Sequence, residues 1–259
     1  MNAMTMTKLL TMLMAAASLC DTALAQPAGV NPEGATDLMT AQLAGGVTSV
    51  KSITWSVDYS RHTVVKAQQT VCTADTYGPD GNIRTRQTFD ADGQPDTKTI
   101  FQYTDSGEKR VSTTYSATGE RTLQTLYAYT ADGFLARMRF TDAAAVTIST
   151  TEVSVMPTWT QTAELFKDGE KVVTTYTYDA NLRLIGISKK DGLSHSELKL
   201  SLGYDGLPAR GTYSASFGHK ATMTYEHTVD SHGNWTRRVT YADGVATEVT
   251  ERTIEYLEE

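Results

Sequence analysis

The sequence predicts an all-β fold, a single long antiparallel meander of about 15 or 16 short strands that curls into a flattened barrel or a folded-over sheet. The first observation behind this prediction is a repeated pair in which glycine follows an aromatic residue by four positions. The pairs are Tyr77/Gly81, Phe89/Gly93, Tyr103/Gly107, Tyr115/Gly119 and Tyr129/Gly133, and their glycines are 12, 14, 12 and 14 residues apart. Such a period indicates one small structural unit used repeatedly.

The second observation is the spacing of turn signals along the rest of the chain. Pairs such as Asp168-Gly169 and Asp243-Gly244 continue the turns to the C-terminus at intervals of 11 to 15 residues. Subtracting the turns leaves strands of about eight residues, roughly 27 Å long. An open twisted sheet rarely exceeds about ten strands, so we expect this one to close on itself.

The third observation is alternation within the strands, which predicts two different faces. Counting by twos back from each terminal aromatic collects an apolar, tyrosine-rich set that includes Ile83, Thr85, Phe89, Phe101, Tyr103, Leu123, Tyr127, Tyr129, Met138, Phe140, Leu198, Leu200, Tyr213, Met223 and Tyr225. The intervening positions are polar and mostly basic: Arg84, Arg86, Lys98, Arg110, Arg137, Arg139, Lys199, Arg210 and Arg238. The apolar set is the predicted interior, filled by Phe and Tyr.

Three segments follow in order along the chain. Residues 1–25 have the features of a secretory signal: Lys8, an apolar run, and the small-x-small site Ala23-Leu24-Ala25 before Gln26. Lipid attachment at Cys20 is disfavoured because Leu19 stands where a small residue is expected. Residues 26–49 form a predicted linker with at most one short helix, and residues 50–259 form the predicted meander. The mature chain is therefore expected to be exported to the periplasm or the cell surface.

Composition and motifs disfavour several classes of function. The chain has 259 residues and a formal net charge of −7, which argues against a nucleic-acid partner. The histidines and cysteines show no metal-ligand spacing, and no nucleophile, phosphate or dinucleotide motif occurs. Most aspartates precede a turn glycine, where folding explains them. The sequence thus predicts a non-enzymatic protein with no cofactor and no metal site.

The turn segments resemble the YD-repeat, or Rhs-repeat, family of bacterial secreted and cell-surface proteins. The unit of that family is Tyr-Asp, two variable residues, Gly, then a polar and an apolar residue. Residues 178–184 follow this order, although Leu182 stands at the glycine position, and residues 230–235 match its second half, with Val229 in place of the tyrosine. The resemblance implies a β-repeat fold, an extracytoplasmic setting and a hint of carbohydrate binding. This chain is too short to form the toxin-enclosing shell of large family members.

Two kinds of function follow as expectations. In the first, the chain is a binding or structural module of the cell envelope. Its basic face, with Arg84, Arg86, Arg137 and Arg139 and with Trp235 beside it, then recognises acidic polysaccharide, or it contacts another envelope protein. In the second, the tyrosine-lined interior stays open and carries an apolar lipid or acyl ligand. A membrane-spanning barrel is disfavoured because Arg and Lys recur in mid-strand and no apolar aromatic residue ends the chain.

Overall fold

The computed structural model describes residues 30–58 and 63–258. The predicted signal peptide, residues 1–25, lies outside the described residues, as do Cys20 and the start of the predicted linker. Among the described residues the chain forms one short α-helix, one turn of 3-10 helix and sixteen strands. In order they are α1 (Asp37–Thr40), β1 (Val47–Asp58), β2 (Val65–Tyr77), β3 (Ile83–Phe89), β4 (Pro95–Tyr103), β5 (Lys109–Ser116), β6 (Arg121–Tyr129), β7 (Leu135–Asp142), β8 (Thr147–Met156), β9 (Trp159–Phe166), β10 (Lys171–Tyr178), β11 (Leu184–Asp191), β12 (Ser194–Leu202), β13 (Pro208–Ala215), the 3-10 turn (Ser216–Gly218), β14 (His219–Val229), β15 (Trp235–Ala242) and β16 (Val245–Tyr256).

The strands form one closed antiparallel barrel. Each strand pairs with its neighbours in chain order, and β1 pairs with both β2 and β16, which closes the sheet. The predicted all-β meander is confirmed, and of the predicted shapes the chain adopts the barrel. Strand β1 begins at Val47, before residue 50, where the meander was expected to begin.

The repeated aromatic-to-glycine spacing is the signature of one hairpin turn. After β6, the Gly133 N–H donates to the Thr130 carbonyl at 3.1 Å, and the Thr130 N–H donates to the Phe134 carbonyl at 2.8 Å. The Thr130 hydroxyl also accepts from the Phe134 N–H at 3.1 Å. Gly133 has φ 84, a conformation that closes such a turn and that glycine adopts without strain. After β10, Leu182 fills the glycine position with φ 61, so the position matches the repeat although the residue does not.

A β-bulge follows these turns and shifts the alternation of the next strand. Tyr77 pairs with Ile83, whereas the preceding Thr76 pairs with Thr85, which leaves Arg84 as the extra residue. Beyond the bulge, Arg86 lies opposite Asp75, which in turn lies opposite Val50. Arg86 therefore shares a face with Val50 and Ile83. The prediction that Thr85 and Phe89 share a face with Ile83, and that Arg86 opposes them, is wrong because counting by twos assumes an unbroken strand.

The N-terminal segment, residues 30–46, identifies which face of the sheet is the interior. Val30 packs with Leu135 of β7 and Val153 of β8, whereas Leu43 packs with Val47 and Val50 of β1. Strands β1 and β8 lie on opposite sides of a sixteen-stranded ring. A segment this short reaches both only by crossing one mouth of the barrel. We call the face that it contacts the inner wall and the opposite face the outer wall.

The two ends of the barrel are distinguished by their hairpins. The near rim is formed by the turns that follow even-numbered strands, from β2–β3 to β14–β15, and the N-terminal segment crosses this mouth: the Leu38 N–H donates to the carbonyl of Gly81 at 3.0 Å. The far rim is formed by the turns that follow odd-numbered strands, from β1–β2 to β15–β16. The repeated tyrosines at the ends of β2, β4, β6 and β10 therefore all lie at the near rim and on the inner wall.

Candidate binding site on the inner wall of the barrel

The inner wall carries a belt of threonine and serine hydroxyl groups. Threonine suits a strand because its branched Cβ packs well on a pleated surface. Cross-strand partners are often both hydroxyl residues: the Oγ1 atoms of Thr99 and Thr114 are 2.9 Å apart, and those of Thr54 and Thr250 are 3.0 Å apart. Members of this hydroxyl belt include Ser52, Thr54, Thr73, Thr88, Thr97, Thr99, Ser112, Thr114, Thr125, Ser149, Thr151, Thr162, Thr174, Thr240 and Thr250. Each hydroxyl has one donor and two acceptor positions, so a paired hydroxyl can still bond to a ligand.

Apolar clusters on the inner wall are local. One joins β12 to β15 around Tyr213 and Met223, another joins β6 to β8 around Met138, and a third joins β10 and β11 around Tyr176. Among the described strands, no cluster of the barrel wall joins strands that face each other across the interior. Several belt threonines, Thr99 and Thr114 among them, are also only half-buried. The interior therefore differs from the expected layer filled by Phe and Tyr.

Buried phenols add hydrogen-bonding groups to this wall. Tyr127 and Ser112 place their hydroxyl oxygens 3.1 Å apart. Burial raises the pKa of Tyr127 to about 12, against the weaker opposing effect of the bond with Ser112. Tyr127 is therefore a neutral phenol at pH 7 and offers both a donor and acceptors.

A buried ion pair fixes the N-terminal segment at the near rim. Lys109 Nζ of β5 lies 2.6 Å from Asp37 Oδ2 of α1, and the two side chains are 5% and 7% exposed. The same carboxylate accepts the Ile83 N–H at 2.9 Å and Asn31 Nδ2 at 3.0 Å. Burial alone would raise the pKa of Asp37, but the charge and hydrogen bond of Lys109, helped by the two other donors, hold it below its usual value. Asp37 is therefore ionised at neutral pH and ties α1 to β3 and β5.

A second buried contact fixes the other end of the segment. Asn234, at the turn between β14 and β15, donates from Nδ2 to the Ala44 carbonyl at 2.9 Å and accepts the Ala44 N–H on Oδ1 at 2.6 Å. Its Nδ2 also donates to the Tyr256 hydroxyl at 2.8 Å, and that hydroxyl donates to Asp230. One amide side chain thus satisfies both backbone groups of Ala44 and links them to the last strand.

Beneath this contact, cationic and aromatic side chains stack on the inner wall. Trp235 is 2% exposed, with the guanidinium carbon of Arg252 3.5 Å and that of Arg238 4.9 Å from its ring centroid. Arg238 Nη2 lies 3.7 Å from Glu248 Oε1. Burial, and then the charge of Arg238, lowers the pKa of the neighbouring His227 to about 4, so this imidazole is neutral at pH 7. Arg252 also donates to the Ala41 carbonyl at 3.2 Å, which joins the cluster to the N-terminal segment.

The five residues predicted to bind a ligand do not share one surface. Arg84 bonds Asp80 at 2.8 Å in its own turn and stacks on the Tyr103 ring, and Arg86 forms a two-pronged pair with Asp75 on the inner wall. Arg137 and Arg139 are exposed on the outer wall of β7, where Arg137 lies 2.6 Å from Glu152. Trp235 is buried inside. The placement predicted for Arg86 is wrong because of the bulge at residue 84, and the placement predicted for Trp235 is wrong because it stacks beneath the two arginines.

Sequence reasoning missed Asp37 and Lys109, although the repeat contains a signal for Lys109. The second residue after the near-rim glycine position points inward and is apolar in other hairpins, for example Ile83, Leu135 and Leu184. Lys109 occupies this inward position after Gly107. A charged residue at an otherwise apolar inward position indicates a buried partner of opposite charge. The pattern does not identify that partner, because Asp37 lies outside the repeats.

In the part of the chain that the structure describes, no group of three or more His, Cys, Asp or Glu side chains could hold a metal ion. No helix in that same part is long and apolar enough to cross a membrane.

Together these features define a closed antiparallel β-barrel with a hydroxyl-rich inner wall and one mouth crossed by its own N-terminal segment. It is similar to a porin-like protein from Bacteroides uniformis, with a TM-score of 0.51 and 17% identity over 81% of this chain and 96% of that chain. A porin-like protein from Bacteroides vulgatus also matches, with a TM-score of 0.41 and 13% identity over 83% of this chain and 100% of that one. The Photorhabdus luminescens Tc holotoxin pore matches at a TM-score of 0.22 and 16% identity, over 83% of this chain and 12% of that chain.

The first of these likenesses shows the β-barrel fold. No family model matches the sequence, and no curated protein matches it.

Proposed function

We propose that this chain is a non-enzymatic, extracytoplasmic barrel of a bacterial envelope that binds a neutral carbohydrate on its inner wall. The envelope setting is supported by the predicted export signal in residues 1–25, by the YD-repeat resemblance and by the likeness to the porin-like protein from Bacteroides uniformis. We also propose that the hairpins are degenerate YD-type repeats. This proposal is supported by their order of aromatic, turn-capping residue, glycine and inward residue, which follows the order of that family's sequence unit.

The outer wall supports a barrel that works in water. Charged pairs lie on this wall. Arg137 pairs with Glu152 in mid-strand at 2.6 Å, with side chains 60% and 59% exposed, and Lys66, near the start of β2, pairs with Glu251 at 2.5 Å. A lipid-facing wall carries an apolar band at this level instead, because charged side chains are costly at mid-membrane depth. The proposal therefore places the barrel beside a membrane or between membranes.

The proposed class of ligand, a carbohydrate, rests on the hydroxyl belt. Half-buried hydroxyls such as those of Thr99 and Thr114 can exchange donors and acceptors with sugar hydroxyls, and the aromatic rings beside the belt offer flat apolar faces. An acyl chain in the same place would face polar groups and give them no hydrogen bond, at a cost of about 1–3 kcal/mol for each one left unpaired. The belt therefore favours a carbohydrate over the apolar ligand considered from the sequence.

Two matched double variants test the inner wall. Thr99→Val with Thr114→Val removes a hydroxyl pair from the belt, whereas Thr76→Val with Thr85→Val removes a pair 2.8 Å apart on the outer wall. On a glycan array with the purified mature chain, we expect wild type and the outer-wall variant to bind the same neutral glycans. The inner-wall variant should lose about tenfold or more in affinity, since each lost bond contributes about 1 kcal/mol.

Native mass spectrometry with fatty acids tests the carrier alternative on the same preparations. A blank array together with retained fatty acid would overturn the carbohydrate proposal. A ligand outside the barrel is tested by the arginines that do not lie on the inner wall: binding of acidic glycans that disappears when Arg84, Arg137 and Arg139 are all replaced by Ser would place the ligand there. Two of these arginines, Arg84 and Arg137, already bond a carboxylate, which does not favour this result.

A further inference from the structure

Three consecutive hairpin tips of the far rim expose large apolar side chains. The β9–β10 tip carries Leu165 and Phe166, the β11–β12 tip carries Leu193, and the β13–β14 tip carries Phe217. Their exposed fractions are 48%, 36%, 100% and 92%. Because these hairpins are consecutive and all follow odd-numbered strands, the tips stand next to one another on one arc of the rim. We call this arc the apolar tips.

Phe217 is unusual in its backbone as well as in its exposure. Its φ is 64, in the left-handed region, and Gly218 follows it with φ 80. A bulky side chain at positive φ is strained, and folding offers no compensation here because the ring packs against little of the protein. Glycine would suit the position better for folding alone. Its exposure and its backbone conformation together make Phe217 a candidate for a contact outside the chain.

Lysines accompany these side chains on the same three hairpins. The exposed lysines Lys167, Lys171, Lys189, Lys190 and Lys220 outnumber the acidic Asp168, Glu170 and Asp191 there. Elsewhere on the far rim the β3–β4 turn is acidic, with Asp90 and Asp92, and the whole chain has a net charge of −7. The apolar tips thus combine exposed apolar residues with a local excess of positive charge, opposite in sign to the rest of the molecule.

We infer that the apolar tips dock the far rim onto an anionic phospholipid surface. Phe217 and Leu193 enter the headgroup layer, where aromatic and aliphatic side chains leave water, and the lysines face the lipid phosphates. The near rim lacks this combination among its described turns. There the exposed Tyr204 stands beside Asp205 rather than among lysines.

Vesicle flotation with the mature chain tests this surface. We expect binding to phosphatidylglycerol-containing vesicles, little binding to pure phosphatidylcholine, and a loss of binding as salt is raised. Phe217→Gly with Leu193→Ser should reduce vesicle binding by about tenfold or more, since burial of each large apolar side chain contributes more than about 1 kcal/mol. Lys190→Gln and Lys220→Gln should each weaken it by about fivefold.

Matched controls distinguish docking from loss of folding. Phe217→Gly relieves the positive φ, so its thermal unfolding should be unchanged or shifted upward. Tyr204→Ser removes an exposed aromatic from the opposite rim and should leave vesicle binding unchanged. The inference is overturned if wild type does not float with anionic vesicles, or if Tyr204→Ser matters as much as Phe217→Gly. Size-exclusion chromatography showing a wild-type oligomer that Phe217→Gly dissociates would also overturn it, in favour of contact between copies of this chain.

Discussion

Replacing Lys109 by methionine should destabilise this barrel far more than replacing a comparable exposed cation. Lys109→Met removes the cation that faces the Asp37 carboxylate, which is 7% exposed and also accepts the Ile83 N–H and Asn31 Nδ2. Removing one partner of a buried ion pair lowers the free energy of unfolding by about 3–5 kcal/mol, because the remaining charge is uncompensated. Natural domains have a free energy of unfolding of only about 5–15 kcal/mol, so this loss would be a large share of the total.

Urea denaturation at pH 7, followed by far-UV circular dichroism, measures the effect. The matched control is Arg137→Met, which breaks an ion pair of the same 2.6 Å length on the outer wall and should cost less than about 1 kcal/mol. The double variant Asp37→Asn with Lys109→Met removes both charges and should recover much of the loss, giving a coupling energy of about 2 kcal/mol. Limited proteolysis should at the same time cut the N-terminal segment of Lys109→Met faster than that of wild type.

Two results would refute this reasoning. If Lys109→Met costs no more than Arg137→Met, the pair does not fix the N-terminal segment. If the effects of the two single changes add in the double variant, Asp37 and Lys109 act separately and the segment is held by its apolar contacts alone.

Three further outcomes test other parts of the structure. Gly107→Val should destabilise the barrel by more than about 1 kcal/mol. The cost comes from the φ of 87 alone, since nothing lies within 4 Å of the added Cβ. An unchanged melting temperature would show that the repeat glycines are not structural. Leu182→Gly should stabilise by about 0.5–1 kcal/mol in the same melting assay, because Leu182 has φ 61 at a glycine position, and a lower melting temperature would contradict this. The pKa of His227 is lowered from 6.5 to about 4 in the folded chain. The contribution of this group to the free energy of unfolding should therefore be fully present above pH 6.5. It should decline between pH 6.5 and 4, because the unfolded chain takes up a proton there that the folded chain does not. The full shift corresponds to about 3 kcal/mol of unfolding free energy, and solvent screening makes the measured contribution smaller. In urea denaturation at each pH, His227→Gln should flatten the decline in stability. The exposed His195→Gln should leave that decline as in wild type.

The sequence was sufficient to predict the strands, the turns and the closure of the sheet, because each depends on local chemistry. Gly133 marks its turn through the positive φ that only glycine adopts freely, and Thr130 marks it through a side chain that caps the turn backbone. Even Leu182, which breaks the repeat, holds the expected conformation. Closure follows from the number of strands, since so wide an antiparallel sheet leaves fewer exposed edges when it becomes a barrel.

The inner wall could not be predicted in the same way, because one extra residue per hairpin changes which side chains point inward. A bulge at Arg84 moves Arg86 from the outer wall to the inner wall, and nothing in residues 83–89 distinguishes the two registers. Contacts between residues that are far apart in the sequence could not be predicted either. Asp37 and Lys109 are 72 positions apart, and their contact depends on where the N-terminal segment crosses the near rim.

The two rims place opposite demands on the chain. At the near rim, Lys109 pairs with Asp37, and Asn234 bonds both backbone groups of Ala44. Both side chains hold the N-terminal segment, so they are explained by contacts within the molecule. At the far rim, Leu193 and Phe217 contact almost nothing within the described residues. A chain under selection for folding alone has no reason to keep a strained, exposed phenylalanine at a turn where glycine fits. The far rim is therefore where we expect this barrel to meet a partner, and the hydroxyl belt is where we expect it to hold a ligand.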